Sequence, residues 1–235
     1  DGPDTPSTLF SPFVEDEVIA EPILGGLFPF AAPLLLPSDP DCVADLLDAP
    51  GRTYLGSTQL SRLKKALLAS DATFKIIVNN TPLSELLFLP YDRWEGYGAE
   101  RADFVAFLEE SFAPGEVLTT DFHTNLAIAR PGFTELVVGP IATSTFGSAV
   151  LSQLPPELAF LADSIFGLLD LLIDGVNGAG SVLGSDADAF SYAVVEVFEE
   201  AGQPRLRATV RGDGDYASGD NDPAKVVDLF SFELP

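Results

Sequence analysis

Apolar residues recur at helical spacing from residue 57 onward, and a short, mostly apolar run follows after a turn. The helical positions are Leu60, Leu63, Leu67 and Leu68, with Lys64 and Lys65 outside the apolar stripe. Ser57 or Thr58 can cap this segment, because a hydroxyl oxygen before the first turn accepts an otherwise unpaired backbone N–H. The run Phe74–Val78 ends at Asn79 and predicts a short buried strand.

Helical and strand patterns continue to alternate toward the middle of the chain. A helix is predicted over about Ala99–Phe112, a strand from Val117 to Asp121, and another strand over Phe133–Val138. This alternation is typical of a β-sheet with helices packed on its faces. The fold class predicted from the pattern is therefore α/β or α+β.

The remainder of the chain predicts an apolar helix followed by strands. Pro155 and Pro156 open a helix that is expected to end near Asp174, because its leucine and isoleucine side chains leave little polar face. The glycine-rich stretch 175–184 predicts a break in regular structure. Alternating apolar residues predict strands over 190–198, 205–210 and 226–232.

The first 50 residues differ from the rest, because they hold nine of the 19 prolines. This spacing excludes long helices or strands and predicts an irregular arm, so we divide the chain into an arm (1–50) and a folded domain (51–235). Residues 24–36 are strongly apolar. We expect residues 1–40 to lie across another polypeptide with Phe28 and Phe30 as anchors. The alternative is that the arm folds back on the helix at 156–174.

A net charge of −24, from 36 acidic and 12 basic side chains, limits the partners of this chain. It repels phosphate backbones and attracts cations, so we expect no nucleic-acid partner. No apolar run reaches the length of a membrane span, and the single cysteine, Cys42, permits no internal disulfide. The absence of methionine, even at position 1, indicates a processed or truncated chain. A secretory segment removed before Asp1 therefore stays open.

The candidate chemistry lies where the strand near residue 117 ends. Asp121 and the only histidine, His123, are two positions apart, so they lie on one side if the strand geometry persists. A carboxylate oxygen and an imidazole nitrogen in this place can hold a metal ion. A histidine that is merely hydrogen-bonded in a loop is the alternative.

Two further stretches have the composition of binding sites. The acidic segment 213–222 offers oxygen ligands for calcium but lacks a closing glutamate, so a solvated hairpin loop is the alternative. Asn79-Asn80-Thr81 has the form of a glycosylation sequon, although Pro82 and a buried strand end oppose that interpretation.

Three stretches resemble the alkaline-phosphatase-D-like branch of the metallophosphoesterases. They are Thr53–Gly56 with the helix that leads to Lys75, Tyr91–Tyr97 followed by Ala99-Glu100-Arg101, and Leu118–His123. The resemblance covers roughly residues 50–235. It implies the C-terminal half of a four-layer α-β-β-α sandwich and a secreted, periplasmic or cell-surface phosphoric ester hydrolase.

The resemblance also implies site residues. Asp121, His123 and Asn79 match metal-ligand positions, and His123 and Arg93 match catalytic positions. A surface salt bridge of Arg93 with Asp92 or Glu95 is the alternative. Trp94 is expected to be a packing anchor rather than a substrate platform. The implied cofactors are divalent or trivalent metal ions, among them calcium, iron, zinc or manganese.

This chain departs from the family pattern because it has no second histidine and no early metal-binding segment. We therefore expect the remaining ligands to come from an N-terminal half of the same precursor or from a neighbouring copy, with a phosphate ester as substrate. The alternative is a non-catalytic surface or assembly protein that uses its acidic face for cation-bridged contacts. A third hypothesis is a phosphate-binding module without turnover.

Overall fold

A computed structural model describes residues 49, 51–86, 93–113, 115–153, 156, 160, 162–213 and 225–235. The described residues divide into two compact units, one within Asp1–Ser61 and Leu83–Val105 and the other within Arg62–Pro82 and Ala106–Pro235. The predicted arm lies outside the described residues, apart from Ala49. The division near residue 50 and the roles of Phe28 and Phe30 therefore stay predictions.

The helices and strands of the described residues follow in chain order: α1 Ser57–Ala69, β1 Lys75–Val78, a 3-10 helix at Trp94–Tyr97, α2 Gly98–Ser111, β2 Gly115–Thr119, β3 Asn125–Arg130, β4 Phe133–Val137, α3 Phe146–Gln153, α4 Ala162–Asn177, β5 Val182–Asp186, β6 Phe190–Glu200, β7 Gln203–Asp213 and β8 Val227–Leu234. The strongly periodic segments are confirmed. The sequence did not predict β3, α3 or β5, and α4 continues past Gly175, where the break was expected.

The first unit is organised around Trp94, which is almost fully buried. The rings of Tyr54 and Phe104 lie 4.7 Å and 5.4 Å from its ring. The carboxylate of Glu100 accepts the backbone N–H groups of Tyr54, Leu55 and Gly56, and so satisfies the donors that precede α1. Trp94 is therefore a packing anchor, as predicted.

The second unit contains a five-stranded sheet, which we call sheet A, in the order β1-β2-β4-β3-β5. β1, β2 and β4 are parallel, whereas β3 runs antiparallel to both β4 and β5. The carboxyl ends of β1, β2 and β4 therefore meet at one edge, and β3 begins at that edge. This arrangement places the loops that follow the three parallel strands side by side.

A three-stranded antiparallel sheet, sheet B, has the order β6-β7-β8. The hairpin between β6 and β7 turns at Ala201 and Gly202, both with positive φ, as the tight turns of twisted hairpins require. Ala208, Val210 and Phe232 of sheet B form a buried cluster with Ala127 and Leu136 of sheet A. The two sheets therefore pack face to face around a shared apolar core.

The fourth helix lies on the opposite face of sheet A. Gly184 of β5 faces Phe230 of sheet B, while the next residue, Ser185, donates a hydrogen bond from its hydroxyl to Asp170 of α4. Since successive side chains of a strand point to opposite faces, α4 and sheet B lie on opposite faces of sheet A. The resulting order of layers, α-β-β, agrees with the predicted C-terminal half of a four-layer sandwich.

A carboxylate lies in the layer between the two sheets. Glu116 of β2 pairs in register with Ile76 of β1 and Thr134 of β4. It stands two residues before Leu118, which contacts the shared core, so Glu116 and Leu118 lie on the same face of sheet A. Its side chain is fully buried, and neither carboxylate oxygen has a hydrogen-bond partner among the described residues. Burial raises the pKa of Glu116 to about 7, because charging a carboxylate away from water is costly.

Candidate functional site

The carboxyl edge of the parallel strands collects the predicted strand-end residues. The backbone N–H of Asn79, directly after β1, donates to the carbonyl of Leu118 at 2.8 Å. The backbone N–H of Val138, directly after β4, donates to the carbonyl of Thr119 at 2.9 Å. Asn79 and the start of the loop after β2 therefore lie at the same level of the sheet.

The connection from β2 to β3 holds Asp121 and His123 in left-handed backbone conformations, with φ of 74° and 57°. Non-glycine residues adopt this region infrequently, and such positions cluster at functional sites. Asp121 is exposed and His123 is half-buried, whereas the intervening Phe122 is buried. The turn thus directs its apolar ring inward while the carboxylate of Asp121 stays in solvent.

His123 is held through its ring and its backbone. Nδ1 lies 2.7 Å from the carbonyl oxygen of Ser144, and the carbonyl of His123 accepts the N–H of Phe146 at 2.6 Å. A carbonyl oxygen only accepts, so the contact places the proton of a neutral imidazole on Nδ1. The lone pair then lies on Nε2, which is the arrangement of a metal-ligating histidine whose other nitrogen donates to a carbonyl.

Asn79 is oriented in a comparable way. Its side-chain amide nitrogen donates to the carbonyl of Thr81 at 2.7 Å. This bond directs Nδ2 to the local turn and leaves Oδ1 as an oxygen donor for a cation. The same hydrogen bond joins the first and third residues of the formal glycosylation sequon, Asn79 and Thr81, in a local turn.

Arg93 belongs to a different environment. It lies in the first unit, whereas Asn79, Asp121 and His123 lie in the second. Its guanidinium is buried and forms an ion pair with Glu95 at 2.8 Å. Glu95 also accepts the backbone N–H of Leu86 at 3.0 Å. Arg93 therefore pairs with Glu95 as the alternative expected, but the salt bridge is buried and not at the surface.

Sequence reasoning missed the polar network behind the turn. Asn125, the first residue of β3, is fully buried, and its side-chain oxygen accepts the N–H of Gly139 at 2.8 Å and the hydroxyl of Ser191. Its amide nitrogen donates to the carbonyls of Asp186 and Ala189 at 3.4 Å and 3.5 Å. Asn125 thereby ties the ends of β3, β4 and β5 together. The signal in the sequence was an asparagine two positions after His123.

The candidate donors at this edge do not amount to a complete metal site among the described residues. In the ranges that the structure describes, no group of three or more histidine, cysteine, aspartate and glutamate side chains is placed to hold a metal ion. Asp121 and His123 supply one oxygen and one nitrogen donor from a single turn. The acidic segment proposed for calcium lies outside the described residues, except for Asp213.

Two packed sheets with polar side chains at the carboxyl edge of parallel strands define an α/β sandwich with a strand-end site. A family model described as PhoD-like phosphatase matches residues 37–164, and the chain belongs to this family. A solved structure of PhoD has a similar fold, with a TM-score of 0.55 and 17% sequence identity over 83% of this chain. The chain covers 35% of that solved chain. No curated protein matches the sequence.

Proposed function

We propose that this chain takes part in the metal-dependent hydrolysis of phosphate mono- or diesters. It does so as the C-terminal part of a secreted or cell-surface alkaline-phosphatase-D-like enzyme. The observation that carries the proposal is that the match to the PhoD-like phosphatase family includes the turn with Asp121 and His123. The same turn orients His123 with its Nε2 lone pair available.

Each residue of the edge has a role in this proposal. Asp121 and His123 would hold a metal ion, and Asn79 would add an amide oxygen. A bound metal of such a site activates water and neutralises phosphoryl oxygens. The protein's contribution is to fix the donors: the Ser144 carbonyl orients the imidazole, and the Thr81 carbonyl orients the amide of Asn79.

The remaining ligands would come from an N-terminal part of the precursor or from a neighbouring copy. The exposure of β1, which forms an edge of sheet A, supports this source for the ligands. Ile76 and Val78 of β1 share the face of Glu116 and Leu118, yet they are 43% and 79% exposed. An edge strand with exposed apolar side chains is typical of a place where a further chain segment pairs with the edge and covers the face.

A non-catalytic surface or assembly protein is the second candidate. The net charge of −24 favours it, because cations that bridge acidic surfaces would relieve the repulsion between copies. Among the helices that the structure describes, none is both long and apolar enough to cross a membrane. The two candidates differ in whether a transition metal and the remaining ligands accompany the chain.

The test is to purify the protein from its natural source and to measure three quantities on that material. These are the intact masses of all polypeptides, the bound metals, and the hydrolysis of p-nitrophenyl phosphate and bis-p-nitrophenyl phosphate. The proposal expects a companion segment with aspartate and histidine ligands, a bound metal, and turnover of at least one ester. A sample with this chain alone, no transition metal and no turnover would refute the enzyme and favour the assembly protein.

A further inference from the structure

Ser144 and Phe146, on either side of Thr145, contact the turn that holds His123. The Ser144 carbonyl accepts from the ring of His123, and the Phe146 N–H donates to the carbonyl of His123. The ring of Phe146 also stacks on that of Phe122, with 5.2 Å between centroids. The position of the segment 144–146 therefore determines which nitrogen of His123 meets a carbonyl.

Thr145, in the middle of this segment, is fully buried. Its hydroxyl oxygen accepts the N–H of Ser148 at 3.0 Å and so caps the start of α3. Its hydroxyl hydrogen is donated to Oδ1 of Asp188. Both functions of one hydroxyl are thus occupied, and the second of them reaches a carboxylate distant in sequence.

Asp188 is itself held by a local turn at the end of β5. Oδ1 of Asp186 accepts the N–H groups of Asp188 and Ala189 at 3.0 Å and 2.9 Å. The N–H of Gly147 donates to the carbonyl of Ala187 at 2.7 Å. A Cβ on Gly147 would lie 2.9 Å from that carbonyl oxygen and from Cβ of Asp188, so only glycine permits this approach.

We propose that Asp188 is a positioning residue for His123. It acts through Thr145, which fixes the Ser144 carbonyl against Nδ1 and so keeps the lone pair of the neutral imidazole on Nε2. The consequence for catalysis rests on the proposed function, because it is there that Nε2 meets a metal or a phosphate. The positioning itself is a property of this chain and does not require a metal, a substrate or a partner.

The single histidine makes the tautomer directly measurable. In the ¹⁵N-labelled full chain at about pH 8.5, roughly two units above the ordinary pKa of an imidazole, two nitrogen signals report which nitrogen carries the proton. We expect a protonated Nδ1 in the natural sequence. Asp188→Ala and Thr145→Ala each remove one side of the contact, and both should shift the signals toward a mixture of the two tautomers.

Conservative variants separate positioning from general stability. Asp188→Asn keeps an oxygen acceptor for the Thr145 hydroxyl, and Thr145→Ser keeps the hydroxyl, so both should restore the Nδ1–H signals. A proton on Nε2 in the natural chain would overturn the proposal. So would an unchanged tautomer in either alanine variant that still folds by amide chemical-shift dispersion. If both alanine variants unfold, loss of the Nδ1–H signals in Thr145→Ser or Asp188→Asn would overturn it, and retention would support it.

This readout is independent of turnover. An inactive natural sample with a protonated Nδ1 would defeat the proposed function and leave the positioning role intact. An active sample whose Asp188→Ala variant keeps the natural tautomer would do the reverse.

Discussion

The ring nitrogen Nδ1 of His123 lies 2.7 Å from the carbonyl oxygen of Ser144, 21 residues later in the chain. The hydrogen bond joins the loop after β2 to the loop that precedes α3. It gives the only imidazole of the chain a defined orientation at the carboxyl edge of sheet A.

Replacement of His123 by alanine is expected to leave the fold nearly intact. The side chain is half-buried, so its loss removes a hydrogen bond with a net contribution of about 1 kcal/mol rather than a core contact. If His123 acts at a metal or a phosphate, turnover of a phosphate ester by the natural enzyme should fall by at least about 100-fold. His123→Asn controls for backbone strain at residue 123, because asparagine tolerates its positive φ better than alanine does. Full activity of the alanine variant would count against a catalytic role.

Glu116 predicts a pH-dependent stability. Its pKa is raised from 4.5 to about 7 in the folded chain. The contribution of the neutral carboxyl to the free energy of unfolding is therefore fully present below about pH 4.5 and is lost as the pH rises through 7. The shift corresponds to about 3 kcal/mol at most. Glu116→Gln cannot ionise and should be more stable than the natural chain at pH 8.5 but not at pH 4.5. Urea unfolding at both pH values measures this difference.

Glu110→Gln, on an exposed position of α2, controls for the removal of one negative charge. It should show little change with pH relative to the natural chain. Equal pH profiles for the Glu116 and Glu110 variants would mean that the buried carboxylate is not the source of the effect.

Arg93→Ala is expected to destabilise the first unit by about 3–5 kcal/mol, because it leaves the buried carboxylate of Glu95 without its cation. Fluorescence of Trp94, the only tryptophan and a neighbour in the sequence, reports the unfolding. The double variant Arg93→Ala with Glu95→Gln should recover part of this loss, since no charge then stays buried. A stable Arg93→Ala chain that lacks turnover would instead restore Arg93 as a phosphate-binding residue.

Gly184→Ala tests the contact between the two sheets. A Cβ at this position would lie 2.6 Å from Cγ of Phe230, so the sheets must shift or Phe230 must leave its place. We expect a loss of about 1–3 kcal/mol, as for other overpacked cores. Gly175→Ala in α4 meets no atom within 4 Å and should stabilise the chain by about 0.5–1 kcal/mol. Similar effects of the two substitutions in thermal unfolding would contradict the packing of sheet B on β5.

Much of the secondary structure could be predicted because it is encoded locally. The leucine spacing of α1 and the alternation of β6 and β7 are sequence periodicities, and each element forms close to its predicted bounds. The apolar run that ends before Asp121 and His123 also predicted that they follow a strand. Asn79 was named as a ligand only through the resemblance to the family, and the parallel pairing of β1 with β2 then placed it at the same edge of the sheet.

The remaining features depend on contacts between residues far apart in the chain. β5 lies in a glycine-rich stretch that predicts a break, and it is a strand because β3 pairs with it and Gly184 admits Phe230. The fate of Arg93 was open until burial placed it against Glu95. Thr145 and Asp188, 43 residues apart, carry no local pattern that joins them. The sequence alone determined periodicity, charge and the candidate donors, because these are properties of neighbouring residues. Only the tertiary structure decided which carbonyl meets His123, because hydrogen bonds between loops form only when the sheet brings them together.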